Sequence, residues 1–265
     1  MIIKKIVLAM VAASALVAVA AHADSLMPDF AAVPAGWSTD RYAPSSFSNV
    51  GTYQNRSNVL GIGIDSSGNL AERAPAYQSS FYNTQGKGHD VNGGAGSVLS
   101  ADLYIPESWR NASNGSVRTD MWGVMSNANA VYDYTIFGFS NYGGAARLRV
   151  YDGDTANGWI DIATAINFNA WTSLAIDFTG SSYVYSVNGA AVYTDNTIHG
   201  STSFSRALMQ AYNFADPSIA NASVLPYVAN WANAEVPEPG IIALFGLGLL
   251  GFAASRRKSA KSRNA

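Results

Sequence analysis

The sequence predicts an all-β fold, a two-sheet jelly-roll sandwich, with a signal helix before it and a short transmembrane helix after it. Three observations predict this fold. Several short windows alternate apolar and polar side chains, as strands with one buried face do. Clusters of Gly, Asn, Asp and Ser separate these windows at roughly 8–15-residue spacing. Between the two ends, no stretch shows the 3.6-residue period of an amphipathic helix.

The predicted strands share one pattern, with an apolar face for the core and a polar face for solvent. In 98–105, every second residue from Leu99 onwards is apolar. Asn188-Gly189 separates two further alternating runs, and both residues tolerate the positive φ of a tight hairpin turn. The other predicted strands are 131–139, 146–150, 172–178 and 183–187.

Residues 1–23 have the three parts of a secretory signal peptide. A lysine-bearing start precedes an apolar run, and Ala21 and Ala23 form an A-x-A cleavage site. Cleavage by signal peptidase after Ala23 leaves Asp24 as the first mature residue. The alternative is an uncleaved membrane anchor, but the small residues at the site favour cleavage.

The C-terminal end has an apolar segment at 241–254, followed by a basic tail at 255–265. As a helix, this segment is about 21 Å long, shorter than the hydrocarbon core of roughly 30 Å. Its terminal position and the basic residues after it indicate a short transmembrane helix, with the tail on the cytoplasmic side and the body outside.

Pro237-Glu238-Pro239, the apolar segment and the basic tail together resemble the PEP-CTERM sorting signal. The resemblance implies a protein exported across the inner membrane of a Gram-negative bacterium and anchored transiently by its tail. An exosortase, a membrane-embedded cysteine protease, then processes it as a substrate, and the product reaches the cell surface or the medium. Producers of such proteins typically make exopolysaccharide and grow as biofilms.

The segment from Trp171 to Gly189 resembles the hairpin of LamG-like, concanavalin A-like sandwich domains. In that family a Trp opens one strand, and an Asp-Gly or Asn-Gly turn closes the next hairpin. The resemblance implies a jelly roll over 51–231, after an irregular lead-in at 24–50 and before a linker at 232–240. Many such domains bind glycans, some cleave them, and many are structural.

Charge and cysteine content narrow the possible partners and sites. Seven of the 16 basic residues lie at the two ends, so 24–240 holds nine basic and all 18 acidic residues. This acidic body argues against nucleic acid as a partner. The chain has no cysteine, which excludes disulfides and Cys-based zinc sites.

The sequence predicts no catalytic residues. Glycoside hydrolases of this fold need two carboxyl groups about 5 Å apart, which alternate positions on a strand supply. None of the predicted strands contains a glutamate, and no predicted strand carries carboxylates at i and i+2. The chain also lacks a G-x-S-x-G elbow and an H-E-x-x-H motif. We therefore expect no enzyme activity and no cofactor other than calcium.

Calcium is the one ion that the sequence suggests. Asp152, Asp154 and Asn157 offer two carboxylates and an amide oxygen in a short loop, and Ca²⁺ prefers oxygen ligands. The spacing departs from that of an EF-hand, and the same residues are standard in turns. A solvated hairpin turn is therefore the alternative, and it is the one that the sequence favours.

The tryptophans allow two interpretations, sugar-stacking platforms or core residues. We interpret Trp171, which opens a strand, as a core residue. Trp109, just after Pro106, and Trp159, beside the acidic loop, are the candidates for glycan binding at the surface.

Three functions compete. The first is a non-catalytic surface or matrix protein associated with exopolysaccharide, with lectin-like glycan binding. The second is a structural or adhesive surface protein without glycan affinity, and the third is a carbohydrate-active enzyme of unrecognised type. The sorting signal, the sandwich and the lack of a catalytic motif favour the first, although the glycan rests on analogy of fold.

Overall fold

The computed structural model describes residues 25–235, apart from Ser66 and Asn129. These residues belong to one compact unit, Ala23–Glu235. Several predictions fall outside the described residues: the signal peptide with Ala21 and Ala23, the Pro237-Glu238-Pro239 motif, the transmembrane segment 241–254 and the tail 255–265.

Fourteen strands account for nearly half of the described residues. In chain order they are β1 (Ser38–Thr39), β2 (Ser46–Asn49), β3 (Leu60–Ile64), β4 (Thr84–Gly93), β5 (Ser97–Ile105), β6 (Arg118–Asn127), β7 (Ala130–Ser140), β8 (Arg147–Tyr151), β9 (Trp159–Ile162), β10 (Ala170–Phe178), β11 (Tyr183–Val187), β12 (Ala190–Asp195), β13 (Ser203–Tyr212) and β14 (Tyr227–Asn233).

The helices of the described residues are short 3₁₀ helices of three or four residues each. None of them is long and apolar enough to cross a membrane. They lie at Phe30–Ala32, Leu70–Glu72, Pro75–Tyr77, Ser80–Asn83, Glu107–Arg110 and Ala112–Asn114.

The strands form two seven-stranded sheets. Sheet A has the order β12-β11-β10-β5-β14-β3-β2, and sheet B has the order β1-β4-β13-β6-β7-β8-β9. Neighbouring strands are antiparallel throughout. The chain passes repeatedly from one sheet to the other, as in a jelly roll. The predicted all-β, two-sheet jelly-roll fold is therefore confirmed.

The core lies between the inner faces of the two sheets. Leu99, Ala101, Leu103 and Ile105 of β5 are fully buried, as the alternating pattern predicts. The opposite face of β5 is also buried, which the pattern does not predict, and Asp102 on that face is only 3% exposed. The loop before β3 covers this face.

The segment 24–50, predicted as an irregular lead-in, is mostly irregular over its described residues and contains one 3₁₀ helix and two short strands. It supplies β1 and β2, which are edge strands of sheets B and A. It also places Phe30, Trp37 and Phe47 in the core, where each is at most 8% exposed. Its scattered prolines are typical of a loop. In the structure, its two strands cover the outer edges of longer strands, and its aromatic side chains fill part of the core.

The positions of two tryptophans differ from the predictions. Trp109 is 6% exposed and packs in the core against Phe139, with ring centroids 5.4 Å apart. The prediction that Trp109 is a surface platform is therefore wrong. Trp171 lies on the outer face of sheet A, because the next residue, Thr172, points into the core. The Trp171 Nε1 donates to the Gln54 carbonyl at 3.0 Å. The prediction that Trp171 is a core residue is wrong for this reason.

Candidate functional site

The outer face of sheet B carries an unusual set of polar side chains. Register places one residue from each of six neighbouring strands in a single row, which we call the polar row. Along the row, each glycine is followed by two polar side chains that can form hydrogen bonds. Its members, from β4 to β9, are Gly86, Gln210, Asp120, Gly138, Arg149 and Asp161.

A second row, one step along the same strands, is apolar and aromatic. Trp122, Ile136 and Leu208 from this row are almost fully buried and form a small cluster with Val124, separate from the main core. Tyr151 and Trp159 pack against this cluster and are only half-buried. This apolar row consists of Gly88, Leu208, Trp122, Ile136, Tyr151 and Trp159.

Arginine side chains lie over the aromatic rings of this face. The guanidinium carbons of Arg149 and Arg118 are 4.3 and 4.5 Å from the centre of the Trp159 ring. Arg41 lies 4.8 Å from the Trp122 ring. Such cation–π contacts hold both partners in place and keep the guanidinium edges free to bind other groups. Trp159 is thus placed at the surface as predicted, but arginines share its ring.

Three carboxylates partly neutralise these arginines, and the first, Asp40, accepts at Oδ2 from Arg41 Nη1 at 2.6 Å. Arg118 Nε donates to Asp120 Oδ2 at 2.7 Å, and Arg147 Nε donates to Asp161 Oδ1 at 2.9 Å. Arg149 Nε is 3.9 Å from the same Asp161 oxygen, too far for a hydrogen bond. Burial, together with the positive charges of Arg147 and Arg118, lowers the pKa of Arg149 to about 10.

Four buried polar atoms of this face have no hydrogen-bond partner within the described residues. Two are acceptors, Asp120 Oδ1 and Gln210 Oε1, which lie on neighbouring strands. Two are donors, Arg149 Nε and Trp122 Nε1. Buried polar groups are normally paired, so these four atoms are unusual, but a ligand on the surface does not reach them. The partly exposed polar side chains of this face include Arg147, Arg149 and Asp161.

Part of this face is visible in the sequence. The alternation of Arg147, Leu148, Arg149 and Val150 places both arginines on the outer side of one strand. Gln210 and Asp120 are adjacent only because β13 pairs with β6, across 90 residues of sequence. That pairing could not be read from the chain.

The predicted calcium loop lies elsewhere, between β8 and β9. The structure brings Asp152 and Asp154 together with Asp195, at the end of β12, so that one carboxylate oxygen of each lies within 4.8 Å of the others. Sequence analysis missed Asp195, which is 41 residues beyond Asp154. Asn157 is exposed in the same turn.

Burial and hydrogen bonds shape this carboxylate cluster. Asp152 and Asp195 are each 6% exposed. The Tyr193 hydroxyl donates to Asp152 Oδ2 at 2.5 Å, and His199 Nε2 is 3.0 Å from Asp154 Oδ1. Burial, followed by the nearby negative charge of Asp152, raises the pKa of Asp195. Oxygen ligands of this kind fit Ca²⁺, and the calcium prediction stays a prediction.

Trp109 borders a different feature, a cleft of about 550 Å³ beside β14. Its lining also includes Tyr53, Leu225 and Val228, and the last two are about half exposed. The cleft is mainly apolar and lacks charged groups among its lining residues. It therefore offers fewer directional contacts than the outer face of sheet B.

Several solved structures are similar to the described chain. A carbohydrate-binding module, CBM66 from Bacillus subtilis, is 12% identical over 75% of this chain and 92% of that one, with a TM-score of 0.40. A family 16 endo-glucanase from Bacteroides ovatus is 12% identical over 77% and 97%, with a TM-score of 0.47. A β-glucanase from Bacillus licheniformis is 13% identical over 79% and 96%, with a TM-score of 0.45.

Sequence comparison identifies the C-terminal part of the chain. Residues 235–258 match the family model for the PEP-CTERM protein-sorting motif. This match confirms the motif predicted at Pro237, Glu238 and Pro239. No curated protein sequence matches the chain.

Proposed function

We propose that this chain, which ends in a PEP-CTERM sorting motif, is an exported, non-catalytic surface protein that binds a glycan through the outer face of sheet B. The motif indicates a secreted protein and an exosortase substrate. The signal peptide, the transient anchor and the association with exopolysaccharide at the cell surface are part of the proposal.

The observation that carries glycan binding is the pairing of the polar row with the apolar row. A sugar ring has an apolar face and a rim of hydroxyl groups that both donate and accept hydrogen bonds. Trp159 and Tyr151 offer aromatic surface for the ring, and the partly exposed side chains of Arg149, Arg147 and Asp161 offer donors and acceptors beside it. A few directional polar groups beside an aromatic surface are what a glycan requires.

The spacing of carboxylates supports a binding role without catalysis. Asp120 and Asp161 are three strand positions apart in the polar row, about 14 Å at the usual spacing between strands. Glycosidases need carboxyl groups about 5–9.5 Å apart. The alternate positions beside Asp120 on β6 are Arg118 and Trp122, so this strand offers one carboxylate.

Affinity electrophoresis of residues 24–235 tests the proposal. The gels would contain the producer's own exopolysaccharide and a panel of plant and bacterial glycans, and reducing-sugar release would be assayed in parallel. We expect retardation by at least one glycan and no release of reducing sugar. Release of sugar would favour an enzyme, and a lack of retardation in every gel would leave a structural or adhesive protein.

A matched pair of variants locates the site. Trp159→Ala removes the aromatic surface of the proposed site, and we expect it to weaken binding about tenfold. Trp171→Ala removes a half-buried tryptophan from the outer face of sheet A and should leave binding unchanged. Equal weakening by both variants would contradict the assignment to sheet B.

A further inference from the structure

We infer that the outer face of sheet B selects an anionic glycan, one whose sugars carry carboxylate or sulfate groups, and that Arg118, Arg147 and Arg149 bind the anionic group. This inference rests on the proposed function and narrows it to a class of ligand. It rests on the distribution of charge and on the unmet hydrogen-bonding capacity of Arg149.

Basic residues are scarce in the body of the protein but concentrated on this face. Only nine basic residues lie between 24 and 240, against 18 acidic ones. More than half of them lie on or over the outer face of sheet B. They are Arg41, Arg118, Arg147, Arg149 and Arg206.

The charges of the three central arginines are not fully neutralised by the protein. Asp120 binds Arg118, and Asp161 binds Arg147. The Nε of the third arginine, Arg149, lies 3.9 Å from Asp161 Oδ1, which already accepts from Arg147. Among the described residues, three guanidinium groups therefore have only these two carboxylates beside them. A cationic centre within an acidic body attracts an anionic group of matching size.

Arg149 also has free donors in a fixed position. Its side chain is 17% exposed and has no hydrogen-bond partner within the described residues, and because its Nε is buried, the two terminal nitrogens are the donors that a ligand can reach. The Trp159 ring holds the guanidinium plane at 4.3 Å. A planar guanidinium binds carboxylate or sulfate oxygens through parallel hydrogen bonds, and the energy of such bonds exceeds that of bonds to neutral hydroxyls. The lowered pKa of Arg149 reflects the same burial and like charges, which a bound anion would offset.

The neighbouring groups suit the rest of a sugar. Tyr151 and Trp159 present aromatic surface next to Arg149, with ring centroids 5.3 Å apart. The exposed carboxylate of Asp161 is an acceptor for hydroxyl groups. This carboxylate would repel a ligand that is anionic along its whole length at close spacing, such as a nucleic acid backbone. The combination favours a sugar with one anionic group per ring.

The test compares acidic polymers with their neutral counterparts, using residues 24–235. One pair is polygalacturonate and the same polymer with its carboxyl groups reduced to alcohols, and the other pair is dextran sulfate and dextran. DNA is the control for binding to any polyanion. We expect at least tenfold tighter binding to one acidic polymer than to its neutral counterpart, with less binding to DNA. The pair that shows the preference identifies the anionic group.

Two variants test the residues. Arg149→Gln should reduce the preference for the acidic polymer to less than threefold. Arg110→Gln, which removes an exposed arginine that lies outside the strands of sheet B and pairs with Glu107, should retain the preference. Urea denaturation checks that the Arg149→Gln variant remains folded. The comparison of acidic and neutral polymers uses the wild-type protein and therefore does not depend on the folding of any variant.

The outcomes separate this inference from the proposed function. Equal binding to acidic and neutral polymers, or equal binding to DNA, would overturn the anionic selectivity and leave glycan binding intact. A preference that survives Arg149→Gln would overturn the assignment to these arginines. Failure to bind any polymer here or any glycan of the wider panel would overturn both proposals.

Discussion

At the scale of single residues, the surroundings of a tryptophan ring decide its contribution to stability. Trp109 packs against Phe139 and Tyr227 in the core, and we expect Trp109→Ala to lower the free energy of unfolding by about 3–5 kcal/mol. Trp171→Ala should cost less than half as much, since solvent can fill the space on the outer face. Urea denaturation of both variants measures this, and equal losses would contradict the assigned positions.

Asp102 and Arg56 form a second residue-scale feature, a buried ion pair on the outer face of β5. Arg56 Nη2 donates to Asp102 Oδ2 at 2.9 Å, and Asp102 Oδ1 has no hydrogen-bond partner within the described residues. Burial raises the pKa of Asp102 and outweighs the opposing effects of the hydrogen bond from Ser173 and the charge of Arg56. The charge of Arg56 therefore stabilises the ionised form of the buried Asp102 carboxylate.

Removing Arg56 should make stability depend on pH. We expect Arg56→Gln to lower the free energy of unfolding at pH 7 by about 2–3 kcal/mol, because it leaves a buried carboxylate without its charged partner. A raised pKa in the folded state means that stability is greatest when Asp102 is protonated and falls as pH rises through that pKa. The difference between variant and wild type should therefore shrink towards pH 4.

Urea denaturation between pH 4 and pH 7 measures this difference. Arg110→Gln breaks an exposed pair with Glu107 and serves as the control, with no change in stability expected at either pH. A difference for Arg56→Gln that is the same at both ends of the range would contradict the role given to Asp102.

At the scale of elements, the segment before β3 completes the sandwich. It supplies one edge strand of each sheet, β1 and β2. It also contributes Phe30, Trp37 and Phe47 to the core. We expect a fragment of residues 51–235 to remain unfolded or to aggregate, because it exposes two sheet edges and loses buried aromatic groups. Near-ultraviolet circular dichroism and limited proteolysis, compared with 24–235, measure this. A folded fragment would show that the segment is dispensable.

The turn between β8 and β9 and the end of β12 form the second element-scale feature. If Asp152, Asp154 and Asp195 hold calcium, about 1 mM Ca²⁺ should raise the melting temperature by about 3–5 °C relative to EDTA. Asp195→Asn should abolish this shift, whereas Asp90→Asn, which alters an exposed carboxylate, should keep it. Absence of a calcium shift in the wild type would leave a hydrogen-bonded turn, the alternative from the sequence.

At the scale of the whole molecule, sorting depends on a motif that is separate from the sandwich. Replacement of Pro237, Glu238 and Pro239 by alanines should leave folding and glycan binding intact but stop processing of the C-terminal end, because exosortase reads the motif. Mass spectrometry of the C-terminus of the released protein measures this. Pro217→Ala, in an exposed loop, is the control. Normal processing of the triple variant would contradict the assignment.

The predictable part of the fold followed from local patterns. Alternation identified β5, β10 and β11, and the inner faces of these strands are buried as predicted. Asn188 and Gly189 have φ values of 50° and 79°, which confirms the hairpin turn expected from their tolerance of positive φ. Patterns of this kind are visible in the sequence because period and turn geometry involve only neighbouring residues.

The candidate site was less predictable for a physical reason. Trp159 was identified as a surface residue, but its partners Arg118 and Arg149 come from two other strands. Trp109 was misplaced because a 3₁₀ helix turns its side chain into the core, and Asp195 was missed because it is distant in sequence from Asp152. Each error concerns a contact between segments that the chain separates widely.

The sequence by itself determined the class of fold, the hairpin and the sorting motif, since each depends on residues close together in the chain. The tertiary structure decided which tryptophans are buried, which strands close the sheets and which polar groups share the outer face of sheet B. Strand pairing brings Asp120 beside Gln210 and Arg149 near Asp161, and pairing depends on the packing of the whole sandwich. The surface proposed to bind a glycan exists only once that packing is complete.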